Sequence, residues 1–563
     1  MIKFTKFHLT SIVKLLSECN LSLYKVAIII VPYYFFTILG ALIDSIGLIL
    51  LVGCFINGFT LNDQTTLPTN IIDILNLYID GDDTFDLLFF MIILFGLNIV
   101  IRFGILVFNG YCFAYIRREL QTIIYKNYIY GNWANLRSFR VGDAVGTITW
   151  EVRAIGKYIV SALITIYSLL CALVLGLLAL ITSFKVTFSL ALICLPLLLL
   201  VNFAFKKMAF YSKKNAEYRN IFTSDVTDRL NGLLQIHLDV NTDFHAQQGL
   251  RAQAPLMRME VLESITQAGI SMFNLLMPFM FLIAFALWLS WFDLATLPNM
   301  GIVASIGVLG LKFVTHLNNS VSQVGNLARL SGSIHPVIAA TDLPPMRSRS
   351  DINSKIIEIQ MKNVEYDYDG KKVIKSVSLN VKNNKPLVLN GRSGSGKTTI
   401  ANLLSGLYLP SKGTVTYIDN NNNKYSSENF KALIGFVTQD IYLFHGTLRE
   451  NLTSGLNKSD EQIWSVLHKV DADDFVRSLG GLDSKSSEAG RSLSGGQRRR
   501  LGIASAILKG TDILIFDEIT GGLDYQNKQS VINVISRLSA DYIVIMISHE
   551  EVSLPEQETI NIN

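Results

Sequence analysis

The sequence predicts a two-part chain: an all-α membrane domain of six helices with long cytoplasmic extensions, followed by an α/β domain built on a parallel sheet. Three observations carry that prediction. Half of the 563 residues are apolar and only 17% are charged, against about 25% charged in a typical soluble protein. Mean hydropathy is +0.37. Apolar runs long enough to cross about 30 Å of hydrocarbon, about 20 helical residues each, recur six times before residue 325. After that point short β-branched runs alternate with helical stretches, the pattern of a parallel sheet with crossover helices.

The six spans are placed near 25–56, 86–114, 157–182, 185–206, 264–291 and 299–322. The first is too long for a signal-peptide core and is read as a retained helix. The third and fourth meet around Ser183, Phe184 and Lys185, which predicts a tight hairpin. Polar, helical-looking segments separate the second span from the third and the fourth from the fifth, and they read as helices continuing beyond the membrane. Basic residues orient the chain. No Lys or Arg occurs between Lys25 and Arg102, whereas Asp63, Asp73, Asp80, Asp82, Asp83 and Asp86 do. That connection is expected to face outward. The polar segments carry Arg117, Arg118, Lys126, Arg137, Arg140 and Arg153, then Lys206, Lys207, Lys213, Lys214, Arg219 and Arg229. They are expected to face the cytoplasm, as are both termini.

The membrane domain is placed at 1–340, a Pro- and Arg-bearing linker at 341–355 and the α/β domain at 356–563. Lys plus Arg (49) nearly balances Asp plus Glu (45), so no basic field recommends a nucleic-acid partner. The five cysteines form no C-x-x-C pair and lie mostly in apolar runs, so they read as core residues and not as a disulfide or zinc framework. The Asn420–Asn423 run reads as a surface turn.

Chemistry concentrates in the α/β part. Gly391, Arg392, Ser393, Gly394, Ser395, Gly396, Lys397 and Thr398 follow the strand 386–389 and open a helix at Thr399. Glycines in that context let successive backbone N–H groups wrap phosphates at a helix N-terminus, with the lysine reaching the β and γ phosphates and the threonine on Mg²⁺. ATP with Mg²⁺ is the expected ligand. The apolar run 513–516 ends in Asp517 and Glu518, which places one carboxylate for the metal and one to polarise water. An exposed acidic turn is the alternative reading of that pair alone. Between these motifs lies Leu493-Ser494-Gly495-Gly496-Gln497, a second Ser/Gly helix start.

With that pentapeptide the chain resembles an ABC transporter. The resemblance implies that Ser494, Gly495, Gly496 and Gln497 face the P-loop of a second nucleotide-binding domain, with two ATP molecules sandwiched between. It implies that Gln439 reaches Mg²⁺ and the attacking water, that His549 contacts the γ phosphate, that Asp524 belongs to the loop coupling the two sites, and that Tyr368 stacks on adenine. Tyr366 is a rival to Tyr368. Two departures stand out: Ser505 occupies a position where the family usually has arginine, and the chain ends at Asn563 soon after His549, so the usual final strand and helices are expected to be short or missing.

Six spans with one such domain resemble the exporter-type (type IV) half-transporter, and the likeness covers almost the whole chain. It implies a dimer, with a homodimer favoured and a heterodimer open, in a bacterial cytoplasmic membrane, moving a small molecule, peptide or lipid. It also places coupling segments at 142–155 and 224–232, received by the loop 446–451. Import of a metal chelate, thiol- or haem-linked transport, and an ATP-gated sensor that moves nothing remain open. Because only a short segment precedes the first span, no N-terminal peptidase domain is expected. The substrate is written in no motif. Asp44, Arg102 and Lys312 interrupt otherwise apolar spans, about 12 to 16 residues deep, or roughly 18 to 24 Å at 1.5 Å per residue. Charges so deep need partners or a wet cavity. Asp44 with Arg102 is one candidate pair, and a positive cavity selecting an anionic substrate is the functional alternative.

Overall fold

A computed structural model describes residues 34–40, 42–43, 47, 84–136, 140–182, 184–232, 236, 242–291, 300–344, 350–352, 354–368, 370–392, 394–431, 434–486, 493–550 and 552–562. The chain divides into two compact units, Met1–Pro345 and Met346–Asn563.

Nearly all described residues of the first unit are helical. Its long helices are α1 (Thr84–Tyr130), α2 (Val152–Thr182), α3 (Phe184–Asn231), α4 (Thr242–Trp291) and α5 (Met300–Leu330), followed by the short α6 (Ile334–Thr341). They cover the second to sixth expected spans. Of the first span only residues 34–40, 42–43 and 47 are described, and these are helical; the rest of 25–56 lies outside the described residues. Three stretches, Phe89–Tyr130, Val141–Leu177 and Asp243–Ile283, are long and apolar enough to cross a membrane among the described residues. The helix α1 shows why: Ile92, Ile99, Phe103 and Leu106 are each about two-thirds exposed, a surface that water would penalise and lipid would not.

As the polar segments predict, α1, α3 and α4 run on well past their apolar stretches. A short helix (Val141–Gly146) and a π-helical turn (Thr147–Glu151) lead into α2. Gly142 is required there, since a Cβ on it would lie 2.7 Å from Ser224 Cα on α3. The two segments expected to couple the units, 142–155 and 224–232, thus pack on each other within the first unit, and Arg229 closes on Asp225 through Nε at 2.8 Å and Nη2 at 3.0 Å. Leu120 and Ile124 of α1, Ile155 and Tyr158 of α2, and Ile334 and Val337 of α6 form a buried apolar cluster in this unit.

The second unit is built around two larger sheets, beside two two-stranded pairings, Ser350–Asp351 with Phe430–Lys431 and Gly446–Thr447 with Lys485–Ser486. An antiparallel sheet is made of β1 (Ile356–Tyr368), β2 (Lys371–Lys382), β4 (Lys412–Asp419) and β5 (Lys424–Ser426), in the order β2-β1-β4-β5. A parallel sheet contains β3 (Leu387–Gly391), β6 (Ile434–Val437), β7 (Ile513–Asp517), β8 (Ile543–Ser548) and β9 (Glu558–Ile562), in the order β9-β3-β8-β7-β6. Every residue of β8 is buried, as a central strand covered on both faces requires. The last strand, β9, pairs along β3 from Glu558 to Ile562.

The Asn420–Asn423 run is more than a surface turn. Asp419, fully buried, accepts from the backbone N–H groups of Asn421 and Asn423 at 2.8 Å, and from Ser354 Oγ, Asn423 Nδ2 and Tyr425 OH at 2.6 to 3.0 Å. Burial pushes its pKa up, but these donors outweigh it and hold the carboxyl well below the usual range. Its stabilising contribution is therefore present above the unfolded value of 3.8 and fades as pH falls below it. Asp419→Asn is expected to flatten the acid limb of thermal unfolding below about pH 4; an unaltered limb would place the acid sensitivity elsewhere.

Candidate functional site

The site forms where β3, β7 and β8 end together. β3 passes at Gly391 into the loop 391–396, and α7 (Lys397–Leu404) begins immediately after. Gly394 (φ +81°) and Gly396 (φ +98°) take left-handed conformations, which a side chain would strain. At Gly396 a Cβ would also lie 2.7 Å from Ile374 Cδ1. Lys397 is 4% exposed, and its ammonium donates to the carbonyls of Gly391 (2.7 Å) and Arg392 (2.9 Å). The loop is thus wrapped around its own cation. Ser395 Oγ is buried and finds no partner among the described residues, as fits a hydroxyl donor kept for an anion. Ser393 lies outside the described residues, and Thr399 is half-buried in the first turn of α7.

Thr398 Oγ1 donates to Asp517 Oδ2 across 3.4 Å, joining the loop to the end of β7. Burial, followed by the neighbouring Glu518 charge, raises the Asp517 pKa above its ordinary value, against the opposing effects of Thr398 and Lys397. A carboxylate so placed gains from a cation beside it. Glu518 has φ +50°, while its N–H still bonds to Ile547 O at 3.1 Å; the ladder runs one residue past β7 and the chain then turns sharply. The turn brings Glu518 Oε2 to 3.6 Å from His549 Nδ1, just beyond β8. Gln439 is exposed after β6, with its Nε2 3.7 Å from the position a Cβ would take on Gly521.

Helices α8 (Asp460–Lys469) and α9 (Asp473–Ser478) precede α10 (Gly495–Leu508), whose cap is Ser494. Its Oγ accepts from Gln497 N–H at 3.2 Å, and Gln497 Oε1 accepts from Ser494 N–H at 2.9 Å, a reciprocal capping box. Gly495 and Gly496 form the first turn. Asp524 likewise caps α11 (Tyr525–Leu538), accepting from Asn527 N–H at 2.9 Å and Asn527 Nδ2 at 2.6 Å. These capping duties were legible from helix-start rules but are easily hidden behind the motif. At the end of β1 the two tyrosines part: Tyr366 is buried, stacked flat on Tyr408 at 5.1 Å, and Tyr368 is half-buried opposite Lys371.

The structure therefore brings together Lys397, Thr398, Asp517, Glu518 and His549, with Gln439 beside the turn that follows Glu518. Arg102 is in the first unit, its Nε donating to Asn98 Oδ1 at 3.3 Å; Lys312 is half-buried on α5; and Asp44 lies outside the described residues. Arg449, in the loop 446–451 expected to receive the coupling segments, forms ion pairs with both Asp460 and Asp483 (2.9 Å) and so anchors that loop within its own unit. Sequence reasoning missed Arg499, which reaches Gly521 O at 2.5 Å. Ser505, at the position of the family arginine, donates to Asn451 O at 3.2 Å.

Residues 374–521 match the family model described as ABC transporter. The chain is 28% identical over 405 residues to an uncharacterized ABC transporter ATP-binding protein of Haemophilus influenzae, covering 70% of this chain and 72% of that one. It is 31% identical over 264 residues to a multidrug resistance ABC transporter ATP-binding and permease protein of Lactococcus lactis, covering 46% and 43%. A solved bacterial Atm1-family ABC exporter with ATP bound superposes with a TM-score of 0.70 at 17% identity over 91% of each chain, a likeness of fold.

Ser494→Ala removes the α10 cap and is expected to cost about 1 kcal/mol of stability, whereas Ser494→Asp keeps an acceptor there and holds the thermal midpoint. Equal midpoints for the alanine variant and the unsubstituted chain would show that the cap contributes nothing.

Proposed function

The chain belongs to the ABC transporter superfamily and has the fold of an exporter-type half-transporter, and from that premise we propose that two copies form an ATP-driven exporter working by alternating access. ATP hydrolysis is coupled to transport. The homodimer, the location in a bacterial cytoplasmic membrane with cytoplasmic termini, and the division into 1–340, 341–355 and 356–563 are part of the same reading.

The observation that carries it is the meeting of Thr398 with Asp517 and of Glu518 with His549 at one edge of the parallel sheet. In this reading the loop amides of 391–396 bind the phosphates of ATP, and Lys397 exchanges its two carbonyl partners for phosphate oxygens. Thr398, Asp517 and Gln439 would hold Mg²⁺, which when bound neutralises charge developing on the phosphates. The raised pKa of Asp517 and the unpartnered Ser395 hydroxyl fit that use. Glu518 orients the attacking water and takes up its proton, while His549 holds the carboxylate and the γ phosphate in register. Tyr368 stacks on adenine, since Tyr366 is committed to Tyr408. Ser494, Gly495, Gly496, Gln497 and Asp524 complete the site of the partner copy.

On this assignment Glu518→Gln leaves ATP affinity near normal, because Lys397 and Thr398 remain, and lowers turnover by about two orders of magnitude or more. Steady-state ATPase with a parallel nucleotide-binding titration checks it; near-normal turnover would remove Glu518 from the role.

For the cargo, Arg102 and Lys312 place positive charge in the spans, and an anionic substrate with carboxylate or phosphate groups is the proposed class. Lys312→Ala is expected to abolish stimulation of ATPase by such a compound while basal hydrolysis survives. Stimulation by neutral or cationic compounds alone would exclude an anionic cargo.

A further inference from the structure

Three successive arginines follow the pentapeptide, and the second and third of them take different partners. Arg500 turns outward to Asp471 O and Ser530 Oγ. Arg499 turns inward: it is 9% exposed, and its Nη2 donates to Gly521 O at 2.5 Å. Gly521 is the last residue of the turn that Glu518 begins, and its own N–H donates to Glu518 O at 3.1 Å. The guanidinium therefore lies two hydrogen bonds from the backbone of the residue assigned to water activation.

It also lies against the start of α10, where a Cβ on Gly495 would come 3.0 Å from Arg499 Nη1. The glycine leaves room for the cation as well as for any phosphate. Turn 518–521 needs such a tether. Glu518 sits in a left-handed conformation that is strained for a residue with a side chain and persists only where neighbours over-determine it. One support is Glu518 N–H on Ile547 O. A charge-assisted hydrogen bond from a buried cation is the second, and is among the stronger kinds available.

We propose that Arg499 is a positioning residue for hydrolysis: by holding Gly521 O it fixes the turn that aims the Glu518 carboxylate, and it ties that turn to the helix headed by Ser494. This rests on the assignment of Glu518 to the hydrolytic step. Arg499 touches no reacting atom in this scheme, so its loss should appear in kcat and leave nucleotide binding alone.

The test uses the full chain in lipid nanodiscs, with ATPase measured across ATP concentration for the unsubstituted protein, Arg499→Met and Arg499→Lys. Methionine keeps the packing of the aliphatic stem and removes the donors; lysine restores one charged donor. Arg499→Met is expected to lower kcat about tenfold, the scale of one lost charge-assisted hydrogen bond, with KM and the affinity for a fluorescent ATP analogue within about twofold. Arg499→Lys is expected to recover most of the rate. Should the methionine variant not fold, Arg499→Gln, a shorter neutral donor, takes its place and is expected to be slower than the lysine variant in kcat with KM still within about twofold, a kcat equal to that of the unsubstituted chain overturning the proposal. An unchanged kcat in a folded donor-free variant, a loss carried by KM, or a lysine variant as slow as methionine overturns the proposal. Should the unsubstituted chain bind ATP without hydrolysing it, the assignment of Glu518 fails and this inference fails with it.

Discussion

The parallel pairing of β3, β8 and β7 is the constraint on which the rest of the second unit depends. Its register sets Leu387 to Asn390 against Ile545 to Ser548, and Ile513 to Asp517 against Ile543 to Ile547. Parallel strands in register end at the same edge, so the P-loop, the Asp517-Glu518 pair and His549 emerge side by side although more than a hundred positions separate the first from the last. A slip of one residue would reverse the facing of every side chain on a strand. The buried Ile, Val, Leu, Met and Phe residues of these strands prevent that, since both sheet faces are covered and a polar residue turned inward would be left without water.

The charged groups at this edge are held by short-range contacts that the apolar strands make possible. Lys397 folds onto two carbonyls of its own loop, Thr398 reaches Asp517, and Glu518 keeps one ladder bond while its backbone turns. None of these contacts is large. Their effect comes from being made where burial has already removed competing water, so that burial and the adjacent Glu518 charge are enough to raise the Asp517 pKa. The first unit obeys the opposite solvent rule. Its α1 exposes Ile99 and Phe103 because lipid is the intended surroundings, while its helices pack as closely as Gly142 on Ser224.

The sequence by itself determined the kind of elements and the kind of chemistry. Apolar runs of membrane length, the β-branched strands and the Gly391–Thr398 loop each report a local physical requirement, and local requirements are what a linear string records. Helix α1 starts within two residues of the expected second span, and the end of β7 coincides with the predicted acidic pair.

Tertiary structure decided which residues meet and which duplicate roles separate. Nothing local distinguishes Tyr366 from Tyr368; packing on Tyr408 does. Nothing local shows that Asp419 gathers Ser354 and Tyr425, that Arg449 spans Asp460 and Asp483, or that Arg499 turns inward while Arg500 turns out. Those outcomes depend on where a long side chain finds an acceptor once the backbone is closed. An arginine reads the same in sequence whether its fork ends in water or on a buried carbonyl, because the difference lies in neighbours brought by the fold from distant parts of the chain.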